Sequence, residues 1–586
     1  MMNVIRSTGL ALAACMLAGP GAGAQQARAR MASAAALGAA RPDSALVLRG
    51  ARAAQASFER TRYRHLPWTD GRGGGRCDEY IGRFCIYRDD TDTDWTPPPE
   101  PEAVKQARAA LITRLDQAAA ATPGDAWIAG QRVRYLVQAG RLADAARAAR
   151  ECRAERWWCL ALDGYALHFA HDYVAAASAF AAAAAAMPPA TRREWDELTP
   201  AVVDADAKAL RQMDPAARAA AVRRLWWLAD PFWADMGNDR LTEHYARLVA
   251  DRFEERARSS EGVFWSDDLR EILVRWGQPT GWERVRPRSR LDGGTDGGIV
   301  SHYAPSFEFI PTLAMVREPF AIRAADWKTD EKFAHTVYAP PGVRRLDPLP
   351  HQVAVFRRQG RAEVVAAFAM KPDSLPPAPT LDAGVVMMRG PDAPPVARIE
   401  RVSGTRGVFR LRAEPTQAVV SLETREPVSR RAARARLGVD MRRAAGSGVS
   451  ISDILLLNRS DARPSSLDEA APLARGSTEF APGDRLALYW EVYGARGAAD
   501  SLTFSVALAR RPPGAVRRAA ESIGLSRAAT PVRIRWDEEP PAAEVLARSL
   551  AIALPRVPPG DYVLEVGVRT RSGAASTTQR EITVVR

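Results

Sequence analysis

Hydrophobic and polar positions divide the 586-residue chain into two periodic regimes. From Glu102 to about Leu228 apolar residues recur at helical spacing, the mark of helices that each bury one face. Two segments in this region, WIAGQRVRYLVQAGRLADAARAA from Trp127 and WCLALDGYALHFAHDYVAAASAF from Trp158, align at an offset of 31 residues. Trp127 then matches Trp158, Ala139 matches Ala170, Leu142 matches Tyr173 and Ala145 matches Ala176. Small residues at fixed places let two helices approach closely, and aromatic rings fill the space between neighbouring pairs. Asp214-Pro215 supplies an N-cap and a first-turn proline for a further helix running into LWWLAD. After about Pro340, where a proline-rich stretch to Pro350 reads as a connector, the period falls to two. HQVAVFRRQGRAEVVAAFAM predicts a hairpin turning near Gly360, and ARIERV, GVFRLRA and AVVSLET follow as strands. A second set, from ISDILLL and RLALYWEVYG to DYVLEVGVRT and REITVVR, has the strand number and spacing of a β-sandwich.

Between the regimes, residues 264 to 279 read FWSDDLREILVRWGQP. Three acids, Asp267, Asp268 and Glu271, stand between Trp265 and Trp276, and the stretch ends on Gly277-x-Pro279. Asp268-x-x-Glu271 has the form of a capping box, with an acid at N-cap and Glu at N3. Two continuations are open. Leu269, Ile272, Leu273 and Trp276 have helical spacing with Gly277 just beyond. Ile272, Val274 and Trp276 also alternate as in a strand that returns through WERVR.

The stretch resembles the GWxTD domain of secreted bacterial proteins, in which G-W-x-T-D precedes an apolar alternation ending in Y-G-x-P. Trp265 and Asp268 match the motif tryptophan and aspartate, and Trp276, Gly277 and Pro279 match its ending. Phe264 stands in place of the first glycine and Asp267 in place of the threonine. WWLADPFWADMGNDRLTEHYARLVADRF resembles the helical lead-in of that family, so the likeness covers about residues 225 to 340. It implies a capped turn followed by a strand, and it implies location and architecture rather than an activity. The paired helices resemble tetratricopeptide repeats, with a period shorter than theirs.

Candidate chemistry adds little. Of the seven histidines, His168 and His171 lie one helical turn apart and could share a metal, but polar residues are ordinary at a helix end. No HExxH, phosphate-loop lysine or G-x-S-x-G motif occurs, and GGTDGG at 293 to 298 reads as a loop. Asp90, Asp92 and Asp94 have the spacing of a calcium loop, but Trp95 occupies the position that needs glycine. That segment, DDTDTDWTPPPEPE, reads as a solvated linker. Neither cofactor nor metal is expected.

Charge and cysteine usage bear on location and partners. The net charge of +13 is carried almost wholly by arginines scattered along the chain, with no basic patch interleaved with aromatics, so nucleic acid is not the expected partner. Residues 1–24 read as an export signal: Arg6, an apolar core from Thr8 to Gly19, and Ala22-Gly23-Ala24 before Gln25. That core is too short to span a membrane. Leu12-Ala13-Ala14-Cys15 offers a rival reading as a lipoprotein box that would leave Cys15 lipidated. In an oxidising compartment the remaining cysteines pair as two local disulfides, Cys77–Cys85 around Gly82 and Cys152–Cys159 between consecutive helices. A four-cysteine zinc site would need closer spacing.

The expected architecture is multidomain α+β. After the signal come an N-terminal segment with the disulfide loop and linker (25–101) and tetratricopeptide-like repeats (102–224). A GWxTD-like domain (225–345) and two β-sandwiches (346–445 and an immunoglobulin-like 446–586) complete it. The expected function is that of an exported, non-catalytic protein, periplasmic, outer-envelope associated or secreted. It would bind or scaffold another envelope or secreted protein, with no transmembrane span. A hydrolase-type site at Asp267, Asp268, Glu271 and His302 is one alternative. Glycan binding by Tyr489, Trp490 and Tyr493 is another, against the reading of Trp490 as sandwich core.

Overall fold

The structure, a computed structural model, describes residues 43–70, 79–86, 96–286, 298–329, 334–373, 375–445, 448–459, 461–495, 501–511, 532–539, 543–553 and 557–585. The export signal with Cys15, Cys77, the Asp90–Asp94 segment with Trp95 and nearly all of the GGTDGG loop lie outside them. The protein is mixed α+β, with helices in its N-terminal half and sheets in its C-terminal half. No helix among the described residues is long and apolar enough to cross a membrane.

Helices α1 (Ser44–Arg64) and α2 (Glu102–Ala121) lead into two antiparallel pairs, α3 (Ala126–Gln138) with α4 (Leu142–Glu151) and α5 (Arg156–Phe169) with α6 (Tyr173–Ala186). The residues matched at the 31-residue offset occupy equivalent places. Ala139 and Ala170 are C-caps, Leu142 and Tyr173 open the second helices, and Ala145 and Ala176 are fully buried. Asp125 and Asp172 accept backbone hydrogen bonds at the starts of α3 and α6. Cys152, the C-cap of α4, is disulfide-bonded to Cys159 in α5.

Short helices α7 (Pro189–Trp195) and α8 (Asp204–Arg211) precede α9 (Pro215–Ala229), which begins as expected, with Asp214 accepting from Ala216 and Ala217. Helix α10 (Asp239–Glu254) then packs against α3, α5, α6, α9 and α11 (Asp267–Trp276). A small sheet joins β1 (Trp68–Thr69), parallel, to β4 (Gly281–Val285), which pairs with β5 (Ile299–His302). Strands β2 (Glu79–Ile81) and β3 (Phe84–Ile86) form the hairpin expected around Gly82. Cys85 is disulfide-bonded. Helix α12 (Leu313–Arg317) and the turn Pro319–Ala321 close this half.

The first double-sheet unit is built from β6 (Arg345–Pro348), β7 (His351–Arg358), β8 (Arg361–Ala369), β9 (Thr380–Met388), β10 (Val396–Ser403), β11 (Arg406–Ala413), β12 (Gln417–Glu426) and β13 (Arg431–Asp440). One sheet runs β10-β9-β12-β13-β6 and the other β11-β8-β7. Between them lies an apolar core that includes Val364, Phe368, Val385, Phe409 and Leu422. The β7–β8 hairpin turns through Gln359 and Gly360, both at positive φ, as the sequence near Gly360 required.

The second unit uses β14 (Ser450–Ile451), β15 (Leu455–Leu457), β16 (Glu479–Phe480), β17 (Arg485–Tyr493), β18 (Leu502–Arg510), β19 (Val532–Glu538), β20 (Val545–Ala553), β21 (Gly560–Thr570) and β22 (Ala575–Val584). Its sheets are β14, β15 and β20 around β17, facing β16-β22-β21-β18-β19. ISDILLL is two strands rather than one. Between them Ser452 bonds back to Glu491, and Asp453 accepts from Val355 N.

The units meet through buried junctions. A polar hub binds the WWLADPFW segment to the first double-sheet unit. Arg436, fully buried, donates to Leu228 O and Asp230 O and pairs with Glu423, which accepts from Trp233 N and Ala234 N. Phe232, Phe309, Tyr338, Leu346 and Ala432 share one apolar cluster. The core of this region is therefore continuous across the expected boundary at 345/346. The Pro340–Pro350 stretch is not an open connector, because β6 pairs in parallel with β13 and Leu349 N donates to Arg434 O. The two double-sheet units are joined by a second apolar cluster, Phe356, Val365, Leu455, Leu467 and Tyr489 among its members.

Candidate functional site

The acidic stretch is a ten-residue helix, α11. This corrects the expectation of a capped turn followed by a strand, and packing supplies the reason. Helical spacing turns Leu269 and Ile272 onto Ile81 of the hairpin, and Leu273 and Val274 into the main helical core. A strand would have split these residues between two faces. The cap differs too. Ser266, in extended conformation, is the N-cap, Asp268 stands inside the first turn, and Glu271 reaches forward to Arg275 (3.0 Å) instead of back to the cap.

Each acid has a distinct setting. Asp268 Oδ1 accepts from Leu269 N (2.8 Å) and Ser266 Oγ (2.7 Å), and Oδ2 pairs with Arg83 Nε at 2.9 Å. Burial alone would raise its pKa; the hydrogen bonds from Ser266, Leu269 and Arg83, with the Arg83 charge, outweigh it and hold the carboxyl below its usual value. Arg83 also donates to Phe264 O (2.6 Å) and Ser266 Oγ (2.9 Å). Gly82, at φ +54°, permits this approach, since a Cβ there would lie 2.5 Å from the Asp268 Cβ. Asp267 is exposed. Arg275, buried, also pairs with Glu79 of the hairpin (2.8 Å) and donates to His335 O. The acids and their arginines thus latch β2–β3 onto α11.

The rest of the motif shapes the same element. Trp265 is half-buried and donates to Asp251 Oδ1 at 3.0 Å. Trp276, the last helical residue, meets Tyr303 edge to face. Arg247 caps the C-terminus by donating to Val274 O (2.9 Å) and Arg275 O (3.0 Å), a cation where the helix dipole favours one. Gly277, at φ +83°, leaves room for it, as a Cβ would lie 2.9 Å from Arg247 Nη2. Pro279 follows where the helix has ended.

These residues do not converge as an acid–base site would. Such a site needs two titrating groups with separated pKa values facing one space. Asp268 faces Arg83, Glu271 faces Arg275, and His302 Nε2 lies 2.9 Å from Glu283. His168 and His171 do not share a ligand position either. His168 lies between Thr242 and Glu243, whereas His171 Nδ1 bonds the Tyr173 hydroxyl. Among the described residues no group of three or more His, Cys, Asp or Glu is placed to hold a metal ion. Tyr489, Trp490 and Tyr493 are buried and offer no face to a glycan. Both tyrosine hydroxyls donate to Glu491, which Arg358 of the first double-sheet unit clasps with two bonds.

Sequence reasoning missed the polar interior around α10. Asp239, Arg240, His244, Arg247 and Glu254 are all buried. Glu243 is held well below its usual value: burial opposes this, but Arg247 and His168 prevail. Burial pushes Asp239, which accepts from the Tyr338 hydroxyl (3.0 Å), up to about 6, and Glu254, paired with Arg134, up to about 7. The sequence carried no local signal for it: helical spacing sets Arg240, Glu243, His244, Arg247, Asp251 and Glu254 on one polar face, which by pattern alone reads as solvent-facing.

Comparison with known proteins assigns no class. No family model matches the chain, and no curated protein matches it. Among solved structures, it aligns with red sea bream transglutaminase at 11% identity and TM-score 0.13, over 44% of this chain and 37% of that one. It also aligns with E. coli alpha-2-macroglobulin in its native conformation at 10% identity and TM-score 0.15, over 50% of this chain and 18% of that one. Likeness at that level carries no argument about fold or activity.

Proposed function

We propose that this is an exported, non-catalytic binding or scaffolding protein of the bacterial envelope or its surroundings. Its helix pairs are read as tetratricopeptide-like, residues 225–345 as a divergent GWxTD-like unit, and the C-terminal sheets as two β-sandwiches. The observation that carries the reading is the engagement of the motif acids. Asp268 and Glu271 hold arginines that fix a hairpin, and Asp267 faces solvent. The Cys152–Cys159 disulfide is compatible with an oxidising compartment. Apolar clusters shared between neighbouring units join them into one array, suited to presenting surfaces. The test immobilises the chain from Gln25 onward, exposes it to envelope extract, and measures affinity for each purified captured protein. Saturable binding that survives Asp267→Ala supports the reading. Hydrolysis of an envelope substrate that is lost in Asp267→Ala and Asp268→Ala would replace it with the enzyme reading.

A further inference from the structure

A cleft of about 490 Å³ opens where the helical half meets the first sandwich. That is the size of a small-molecule site, and junctions between units are where such sites recur. Trp227 near the end of α9 and Phe320 in the turn after α12 line it on the helical side, and the turn following β9 lines the other.

The walls are fixed by the junction itself. Trp227 stacks on Trp233 with ring centroids 5.3 Å apart, and its indole N–H points at Met388 Sδ at 3.2 Å. The Phe320 backbone lies so close to β13 that a Cβ on Gly438 would meet the Phe320 carbonyl oxygen at 2.0 Å. Gly438 N also donates to Ile322 O at 2.8 Å. A site with such walls needs little ordering when a ligand arrives.

The charge of the lining is one-sided. Arg224 from α9, Arg317 from the end of α12 and Arg389 from the turn after β9 line the cleft together. Among the described residues none of the three is joined to an acid, although the adjacent Arg223 pairs with Asp392 at 3.7 Å. Glu318 is the one acid in the lining, so three positive charges face one negative. Guanidinium groups that line one cleft from separate elements favour an anion there. Their fork geometry matches an oxyanion.

We propose that this cleft binds a small molecule bearing a phosphate or carboxylate group on an apolar, planar body. Arg224, Arg317 and Arg389 take the oxyanion, and the body rests on the Trp227 and Phe320 wall. This assignment is independent of the scaffolding role.

Calorimetric titration of the full chain with phenyl phosphate, phenylacetate and neutral benzyl alcohol tests it. The expected result is saturable binding of at least one of the two anions and none of the alcohol. The tighter anion tells phosphate from carboxylate. Arg317→Ala and Arg389→Ala should each weaken binding by about tenfold or more, the worth of one charge-assisted hydrogen bond. Arg193→Ala, an exposed arginine on α7, should leave binding unchanged. Arg317 and Arg389 are both exposed, so melting temperatures should match the parent, and either variant alone carries the test if the other misfolds. Four results would each overturn the proposal: no binding of either anion, equal binding of the alcohol, smaller losses in both cleft variants, or an equal loss in Arg193→Ala.

Discussion

Asp267 and Asp268 are neighbours with opposite fates, and the difference is measurable. Asp268→Ala breaks the ion pair with Arg83 and two hydrogen bonds, and should cost about 1–2 kcal/mol in a chemical melt. Asp267→Ala, at an exposed position, should stay within about 0.5 kcal/mol of the parent. An active-site cluster would give the reverse, with both substitutions raising the melting temperature. His244 makes a second prediction at this scale. Both its ring nitrogens are buried without a hydrogen-bond partner. Burial first, and then the charges of Arg240 and Arg247, push its pKa down to about 3 from an ordinary 6.5. The neutral ring therefore contributes its full stability above pH 6.5, and that contribution is lost as pH falls from there toward 3. Asp239 and Glu254, with raised values, run the other way, losing their contribution as pH rises through about 6 and about 7. His244→Phe leaves those acids in place, so the difference between variant and parent isolates the histidine. The variant should gain about 2 kcal/mol on the parent between pH 6.5 and pH 5. Parallel stability curves over that range would show that the ring is not held neutral.

At the scale of elements, the two helix pairs were legible because their periodicity is local. Small residues at fixed offsets and the Asp125 and Asp172 caps are properties of a few consecutive residues. The Cys152–Cys159 pairing was legible for the same reason. Replacing both cysteines by serine should cost about 2–3 kcal/mol, seen as a shift in urea midpoint with unchanged slope, because the loop closed is short. Helix α11 was not legible as a helix. Its residues fit both periods, and the choice was made by the hairpin and α10, which cover one helical face. Its C-terminus is equally non-local, since the cap is the Arg247 side chain from another helix.

At the scale of the molecule, the junctions decide behaviour. Arg436 and Glu423 lie buried between the helical half and the first double-sheet unit. Glu423→Ala leaves a buried guanidinium without its carboxylate and should cost about 3–5 kcal/mol. Calorimetry of the parent should show those two units losing structure in one transition, and the variant should split it in two. A parent that already melts in two steps would show that the hub does not couple them. The cleft belongs to this scale as well, because its arginines are far apart in sequence and meet only when the units dock.

The sequence by itself determined the order of regimes, helices first and sheets after, along with the turn at Gly360 and the cap at Asp214. Each follows from side-chain periodicity or backbone preference within a short window. It also carried the Cys152–Cys159 bond. Only the tertiary structure decided that the motif acids hold a hairpin through Arg83 and Arg275, which stand far from them or face inward. Only it decided that Tyr489 and Tyr493 are buried around Glu491, and that the Pro340–Pro350 stretch is paired into a sheet. The physical reason is the same in every case. A charged or aromatic side chain has one local preference but many potential partners, and which partner it meets is set by packing between elements.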